Sequence, residues 1–352
     1  MIRSKTLIAT PPGETIREQL EMWGMTQKEF SVRMDLSEKH ISRLINGKVR
    51  LTDDVALRLE TVLGVEASFW SNLENIYREK IARIEEENSI DEDTEFSKRL
   101  PVKAMLKNGW INDAKSKSAK VHILRQFYCV TRLHALETPG LYRIACRKLS
   151  DGEKSKYILL TFVQKARQEA LAIETNKISI PSLAEKLNII REMTRRDLHE
   201  FKDDLRTILA ECGIALVILQ NLAGSYLHGA TFLDGKKIVV LLTSRCKFAD
   251  VFWFSFFHEL GHIINGDIFN QDGTTEQDEI QADYFSRETL IPDKRYREFL
   301  QLHDIRKDSI VNFANSIGIH PGIVVGRLQK DKIIQFNTLN FLKQKYSLLC
   351  NE

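Results

Sequence analysis

Apolar residues recur every three or four positions through residues 14–80, in blocks separated by Gly, Asp or Asn: ETIREQLEMWG, TQKEFSVRM, SEKHISRLI, TDDVALRLETVLG and ASFWSNLENIYREK. That period predicts five consecutive short helices. The start signals agree. Thr26 and Glu29 have the T-x-x-E capping-box spacing, Ser37 stands ahead of the third helix, and Thr52 precedes two acidic residues in the first turn of the fourth. Gly47 after Asn46 closes the third. Residues 85–96 are acidic without an apolar period, so an acidic linker or frayed helix end is expected there, closing a first domain over 1–84. Residues 97–190 are helical in pattern and begin with a basic run (Lys98, Arg99, Lys103, Lys107) that suggests no particular chemistry. From 191 the pattern changes to a polar helix, the strand IALVILQ, a hairpin with turns at Ala223-Gly224 and Asp234-Gly235, and a long apolar helix. The fold class expected is mainly α with an α+β C-terminal domain over 191–330, followed by a tail over 331–352.

Composition narrows the function classes. The 352 residues carry 51 basic and 48 acidic side chains, net +3, too balanced for whole-molecule charge to name a partner, so a nucleic-acid signal must be local. The longest apolar stretches are about half the roughly 20 residues a bilayer span needs, and MIRSKTLIATPPGE has no signal-peptide core. The expected location is cytoplasmic, with no membrane partner. Five cysteines (Cys129, Cys146, Cys212, Cys246, Cys350) without a CxxC pair suggest neither a disulfide framework nor a zinc knuckle.

The strongest chemical signal is H-E-x-x-H inside the apolar run FWFSFFHELGHIING. On a helix, His258 and His262 share one face a turn apart, so two neutral nitrogens can converge on one zinc ion. Glu259 is then placed to act as general base rather than as a ligand. The later EIQADYFSRETLIP offers Glu279 as third ligand and, four residues on, Asp283 to hold a ligating histidine by its other nitrogen. Two histidines, a glutamate and an open position describe a catalytic zinc site, while a metal kept only for structure or sensing is the alternative. Gly261 costs about 1 kcal/mol of helix propensity, which points to close packing at that position. His228, Tyr226, His320 and Arg327 are candidates for the same cleft. A hairpin histidine, a loop histidine before proline and a surface arginine are the plainer readings.

In TQKEFSVRMDLSEKHISRLINGK, two short helices joined by a turn after Met34 have the form of a helix-turn-helix, with 37–45 as recognition helix. Phe30, Met34, Leu36, Ile41 and Leu44 supply the apolar face. Ser37, Lys39, His40, Ser42 and Arg43 are left to face a major groove, with Gln27 and Lys48 or Arg50 flanking at phosphates. Asp35 takes the turn position, where left-handed geometry is usual. Residues 26–50 hold six basic and three acidic residues, a modest excess that an ordinary helical bundle also shows.

Through T-Q-K-E-F, L-S-E-K-H-I-S-R-L-I-N-G-K and L-E-T-V-L-G, residues 14–66 resemble the Xre (Cro/C1-type) helix-turn-helix family, in particular its HigA-like antitoxin branch. Residues 191–330 resemble the ImmA/IrrE zinc metallopeptidases in H-E-L-G-H, E-I-Q-A-D-Y-F-S, L-I-P and G-I-H-P-G-I-V-V-G-R-L-Q. The resemblance implies a five-helix lambda-repressor-like bundle binding double-stranded operator DNA as a homodimer. It also implies a zincin-like domain with zinc at His258, His262 and Glu279 and Glu259 as base. By the same resemblance, the protein cleaves a repressor, or itself, to control a toxin–antitoxin or mobile-element operon, with a cognate toxin as further partner. Asp283 stands where the family usually has Asn, and Asp35 where Gly is commoner. Two alternatives remain open: a non-proteolytic antitoxin whose metal domain senses or docks, and a protease using its helix-turn-helix only for protein recognition.

Overall fold

The computed structural model describes residues 2–138, 153–270 and 274–346; Cys146 and Cys350 lie outside them. The chain divides into two compact units, Met1–Glu95 and Phe96–Glu352.

The first unit opens with a small antiparallel hairpin, β1 (Ile2–Arg3) and β2 (Ile8–Ala9), then α1 (Pro12–Met22), α2 (Gln27–Arg33), α3 (Glu38–Ile45), α4 (Asp53–Leu63) and α5 (Ala67–Ser97). The caps sit where the sequence places them. Thr26, Ser37 and Thr52 accept hydrogen bonds from the backbone N–H of Glu29, His40 and Val55. The box at Thr26 is only half formed, because the Glu29 carboxylate turns instead to Arg33, one helical turn on (Nη2 at 2.7 Å). Ile16, Phe30, Met34, Ile41, Leu59 and Trp70 close the core.

For the acidic stretch 85–96 the structure agrees with the helix end and overturns the linker: these residues form the last turns of α5, which is 31 residues long. Helix formation there depends on partners about 80 residues away in sequence. Ser4 and Thr6 donate to the Glu87 carboxylate (2.6 and 2.7 Å) and Lys5 pairs with Asp91, while Tyr77 and Ile84 bury against Ala9 of the hairpin. These contacts supply the counter-charge and the apolar face that the local pattern lacks.

In the second unit, α6 (Val102–Lys107), α7 (Lys117–Tyr128), α8 (Glu153–Leu171), α9 (Ile180–Glu192) and α10 (Leu198–Glu211) precede the strands β3 (Ile214–Leu219), β4 (Gly229–Asp234) and β5 (Lys237–Thr243). β4 and β5 form the expected hairpin, closed at Asp234 opposite Lys237, but β5 sits in the middle and pairs with β3 in parallel. The turn at Ala223-Gly224 therefore lies in a crossover loop rather than in a hairpin. Both faces of this sheet are buried, which is why β3 and β5 read as continuous apolar runs. Ile214, Leu216, Val240 and Leu242 face a core shared with α11 (Ala249–Asn265), whereas Ala215, Val217, Phe232 and Leu241 pack on Phe162, Val163 and Ala166 of α8. The 97–190 region thus contributes the helix that covers one side of the sheet.

The remaining elements are α12 (Glu276–Leu290), α13 (Asp293–Gln301), α14 (Lys307–Ile317) and α15 (Pro321–Lys330). Among the described residues after α15, Lys343 and Tyr346 reach back to α11. Trp253 Nε1 donates to Tyr346 Oη at 2.9 Å, and Lys343 forms a buried ion pair with Asp250 at 2.6 Å. No described helix is long and apolar enough to cross a membrane.

Candidate metal centre and nucleic-acid interface

α11 brings His258 and His262 to one face, with ring centroids 4.8 Å apart and Nε2 atoms 3.2 Å apart. α12 packs across it and adds Glu279, whose Oε2 lies 3.4 Å from His258 Nε2 and whose Oε1 lies 3.6 Å from His262 Nε2. The helices meet closely at Gly261, where a Cβ would stand 3.0 Å from the Ala282 Cα. That approach explains a glycine in the middle of a helix.

Each imidazole is held from behind. Asp283 Oδ1 is 2.8 Å from His258 Nδ1, and Asp267 Oδ2 is 2.8 Å from His262 Nδ1. With both Nδ1 atoms held by carboxylates, the two Nε2 atoms and a carboxylate oxygen face one point, an arrangement stabilised by a cation. Burial disfavours charge on His258, yet Asp283 and Glu279 outweigh it and push the imidazole up to about 10. The surroundings therefore favour positive charge at this point, and an N, N, O donor set suits a divalent first-row metal.

Glu259 lines the same cleft but is not one of the three converging donors. Its carboxylate is buried and accepts from Thr231 Oγ1 of β4 at 2.5 Å, and burial raises its pKa despite the neighbouring histidines. Gly229 leaves room beside Oε1, which a Cβ there would approach to 2.7 Å. A cleft of about 300 Å³ lies over these groups, walled by Tyr226, His228, Phe254, Arg287 and Lys330. Arg245 Nε donates to His228 Nε2 at 3.1 Å, and its guanidinium lies over the Tyr226 ring. Desolvation and the charges of Arg245 and Lys330 hold His228 below the usual histidine range.

Two of the four softer candidates are elsewhere. His320 caps α15, its Nδ1 accepting from the Gly322 N–H at 3.1 Å. Arg327 is a buried anchor, donating to the Ile291 carbonyl at 2.7 Å, pairing with Asp293 and stacking over Tyr296. Neither lines the cleft. Asp267 and Thr231 were not singled out in the sequence. An acid five residues after His262, just past the Gly266 helix end, was a usable signal for the first, while nothing local marks Thr231.

In the first unit, α2 and α3 are joined through Asp35, whose φ of 53° is left-handed. Arg58 of α4 clamps this turn, donating from Nη1 to the Met34 carbonyl at 2.9 Å and to the Asp35 carbonyl at 3.3 Å. Gln27, Lys39, Ser42, Arg43 and Lys48 are exposed along or beside α3. Of the groove-facing candidates, one is exposed but has a second role and one is placed differently. The Ser37 hydroxyl is used in capping α3, and His40 is half-buried with Nε2 unpartnered.

The comparisons with known proteins follow the two units. A helix-turn-helix family profile matches residues 16–70, and an IrrE N-terminal-like domain profile matches residues 210–329. The chain is similar to an uncharacterized HTH-type transcriptional regulator, YddM, of Escherichia coli (strain K12): 35% identical over 66 residues, spanning 19% of this chain and 70% of the relative. Among solved structures, an addiction module antidote protein of a HigA family from Coxiella burnetii matches with 26% identity over 25% of this chain and 96% of that chain, at a TM-score of 0.23. The chain belongs to the Xre-type helix-turn-helix regulators and joins to that domain an IrrE N-terminal-like domain of metallopeptidase type.

Proposed function

We propose that this protein is an operator-binding regulator whose second unit is a zinc-dependent endopeptidase, cutting a helix-turn-helix repressor or its own chain to control a toxin–antitoxin or mobile-element operon. The observation that carries the proposal is the convergence of His258 Nε2, His262 Nε2 and Glu279 beside a separate, buried carboxylate, Glu259. His258, His262 and Glu279 would hold a zinc ion, whose chemistry there would be that of a Lewis acid toward the scissile carbonyl and water.

The remaining steps belong to the chain itself. Thr231 fixes Glu259 Oε2, leaving Oε1 to take a proton from water and return it to the leaving amine. The raised pKa of Glu259 suits that two-way traffic. Because Arg245 donates to His228 Nε2, the His228 proton resides on Nδ1, a donor available to the oxyanion that develops. Asp267 and Asp283 keep both ligand imidazoles in the tautomer that presents Nε2.

In the first unit, Lys39, Ser42 and Arg43 read base edges while Gln27 and Lys48 contact phosphates, with two copies on one operator. Such a protein works in the cytoplasm, where its operator is, and a toxin from the same operon is its further partner. Incubating the full chain with helix-turn-helix repressors of its own operon tests the peptidase. Wild type should cut one of them, or itself, in a zinc-dependent manner, and Glu259→Gln should keep zinc but not cut. A Glu259→Gln protein that still cleaves overturns the mechanism.

A further inference from the structure

The basic run at the start of the second unit has no part in the chemistry above, yet it borders a cleft of about 680 Å³, within the usual range for small-molecule sites. The floor is apolar: Leu100, Tyr157 and Ile158 are buried, and Val102 and Ala104 are half-buried beside them. The polar edge is cationic, and no carboxylate lines the cleft among the described residues. Arg99 is matched by Glu137 at 2.8 Å. Lys103 and Lys107, exposed and four apart on α6, have no ion-pair partner among the described residues. Like charges at that spacing oppose helix formation unless something neutralises them.

The cleft also shares a wall with the metal centre. Ala223 lines the cleft, and in the same loop Tyr226, Leu227 and His228 line the metal site. Asn108, at the end of α6, ties the two together by donating from Nδ2 to the carbonyls of Gln220 (3.4 Å) and Asn221 (3.3 Å).

We propose that this cleft binds a small organic anion with an apolar body, its head held by Lys103 and Lys107 and its body on Leu100, Tyr157 and Ile158, and that occupancy is passed through Asn108 to the 220–228 loop. Charge complementarity selects the head and the apolar floor selects the body. A ligand that tightens α6 against this loop orders the wall carrying His228. The inference does not depend on the peptidase reading, since neither of its readouts is cleavage.

The experiment titrates decanoate into the full chain by calorimetry, with 1-decanol as the uncharged control. Saturable decanoate binding is expected, at least tenfold tighter than 1-decanol. The Lys103→Glu/Lys107→Glu double variant should weaken it at least tenfold, and Ala104→Phe, which fills the cleft without altering charge, should also abolish it. Equal affinity for 1-decanol, undiminished binding in either variant, or absence of saturable binding overturns the site. Hydrogen exchange then tests the coupling. Decanoate should slow exchange at 220–228 in the wild type and not in Asn108→Ala, and unchanged exchange in the liganded wild type overturns the link to the loop.

Discussion

Gly261→Ala tests how the two helices set the spacing of the metal donors. An ideal Cβ at position 261 stands 3.0 Å from Ala282 Cα and 3.3 Å from both its Cβ and its carbonyl oxygen. Ordinary carbon contacts are about 3.5–4.0 Å, so α12 must back away by a few tenths of an ångström. Alanine gains about 1 kcal/mol of helix propensity over glycine, while overpacking a close contact costs about 1–3 kcal/mol. The net effect on stability is a loss of up to about 2 kcal/mol, a fall of only several degrees in melting temperature for a unit of this size. The larger effect falls on the metal. Glu279 lies three residues before Ala282 on the same face of α12, so the shift is delivered to its carboxylate. Metal sites hold their ligands to about 0.2 Å, and misplacing what supports them costs about 10- to 100-fold in affinity. Zinc competition against a chromophoric chelator should therefore show at least tenfold weaker binding by a protein that is still folded. Affinity within twofold of the wild type would refute the idea that this approach positions Glu279.

Asp267→Asn should weaken zinc about 10- to 100-fold in the same assay, because it removes the charge behind His262, whereas Asp283→Asn, on the more exposed partner of His258, should do less. Arg43→Ala and Lys39→Ala should each weaken binding to the promoter of the protein's own operon in fluorescence anisotropy; a phosphate contact lowers the salt slope by about one, and a base contact costs about 1–3 kcal/mol and relaxes sequence preference. Arg58→Ala, which releases the carbonyls of Met34 and Asp35, should destabilise the first unit by about 1–2 kcal/mol in a thermal melt. Burial pushes the Cys246 thiol up to about 12, so at pH 8 it should resist a disulfide reagent until the protein unfolds, while exposed Cys129 reacts at once, as peptide mapping would show.

What was legible in the chain was what is local. The caps at Thr26, Ser37 and Thr52, the left-handed Asp35 and the helical placement of H-E-x-x-H all follow from residues within a turn or two of one another. So does the closeness implied by Gly261. Most of what failed depends on partners far off in sequence, the exceptions being Glu29, drawn to Arg33, and His320, which caps through Gly322. The acids of 85–96 form helix because Ser4, Lys5 and Thr6 meet them, and Glu29 leaves its capping box because Arg33 offers a charge. His320 and Arg327 fit the spacing of a cleft-facing segment, but one is consumed by a helix cap and the other by a buried carbonyl and Asp293. Thr231 reaches Glu259 from a neighbouring strand, a contact invisible without the register of β4. The order β3, β5, β4 was equally hidden, since a hairpin signal says nothing of the third strand's partner.

Elemental analysis of the purified full chain beside His258→Ala tests the central claim most directly, with promoter binding measured on both samples to show that the first unit is intact. About one zinc per wild-type chain, lost in the variant while DNA binding persists, is the predicted result. Absence of metal from the wild type, or equal zinc in the variant, would contradict it.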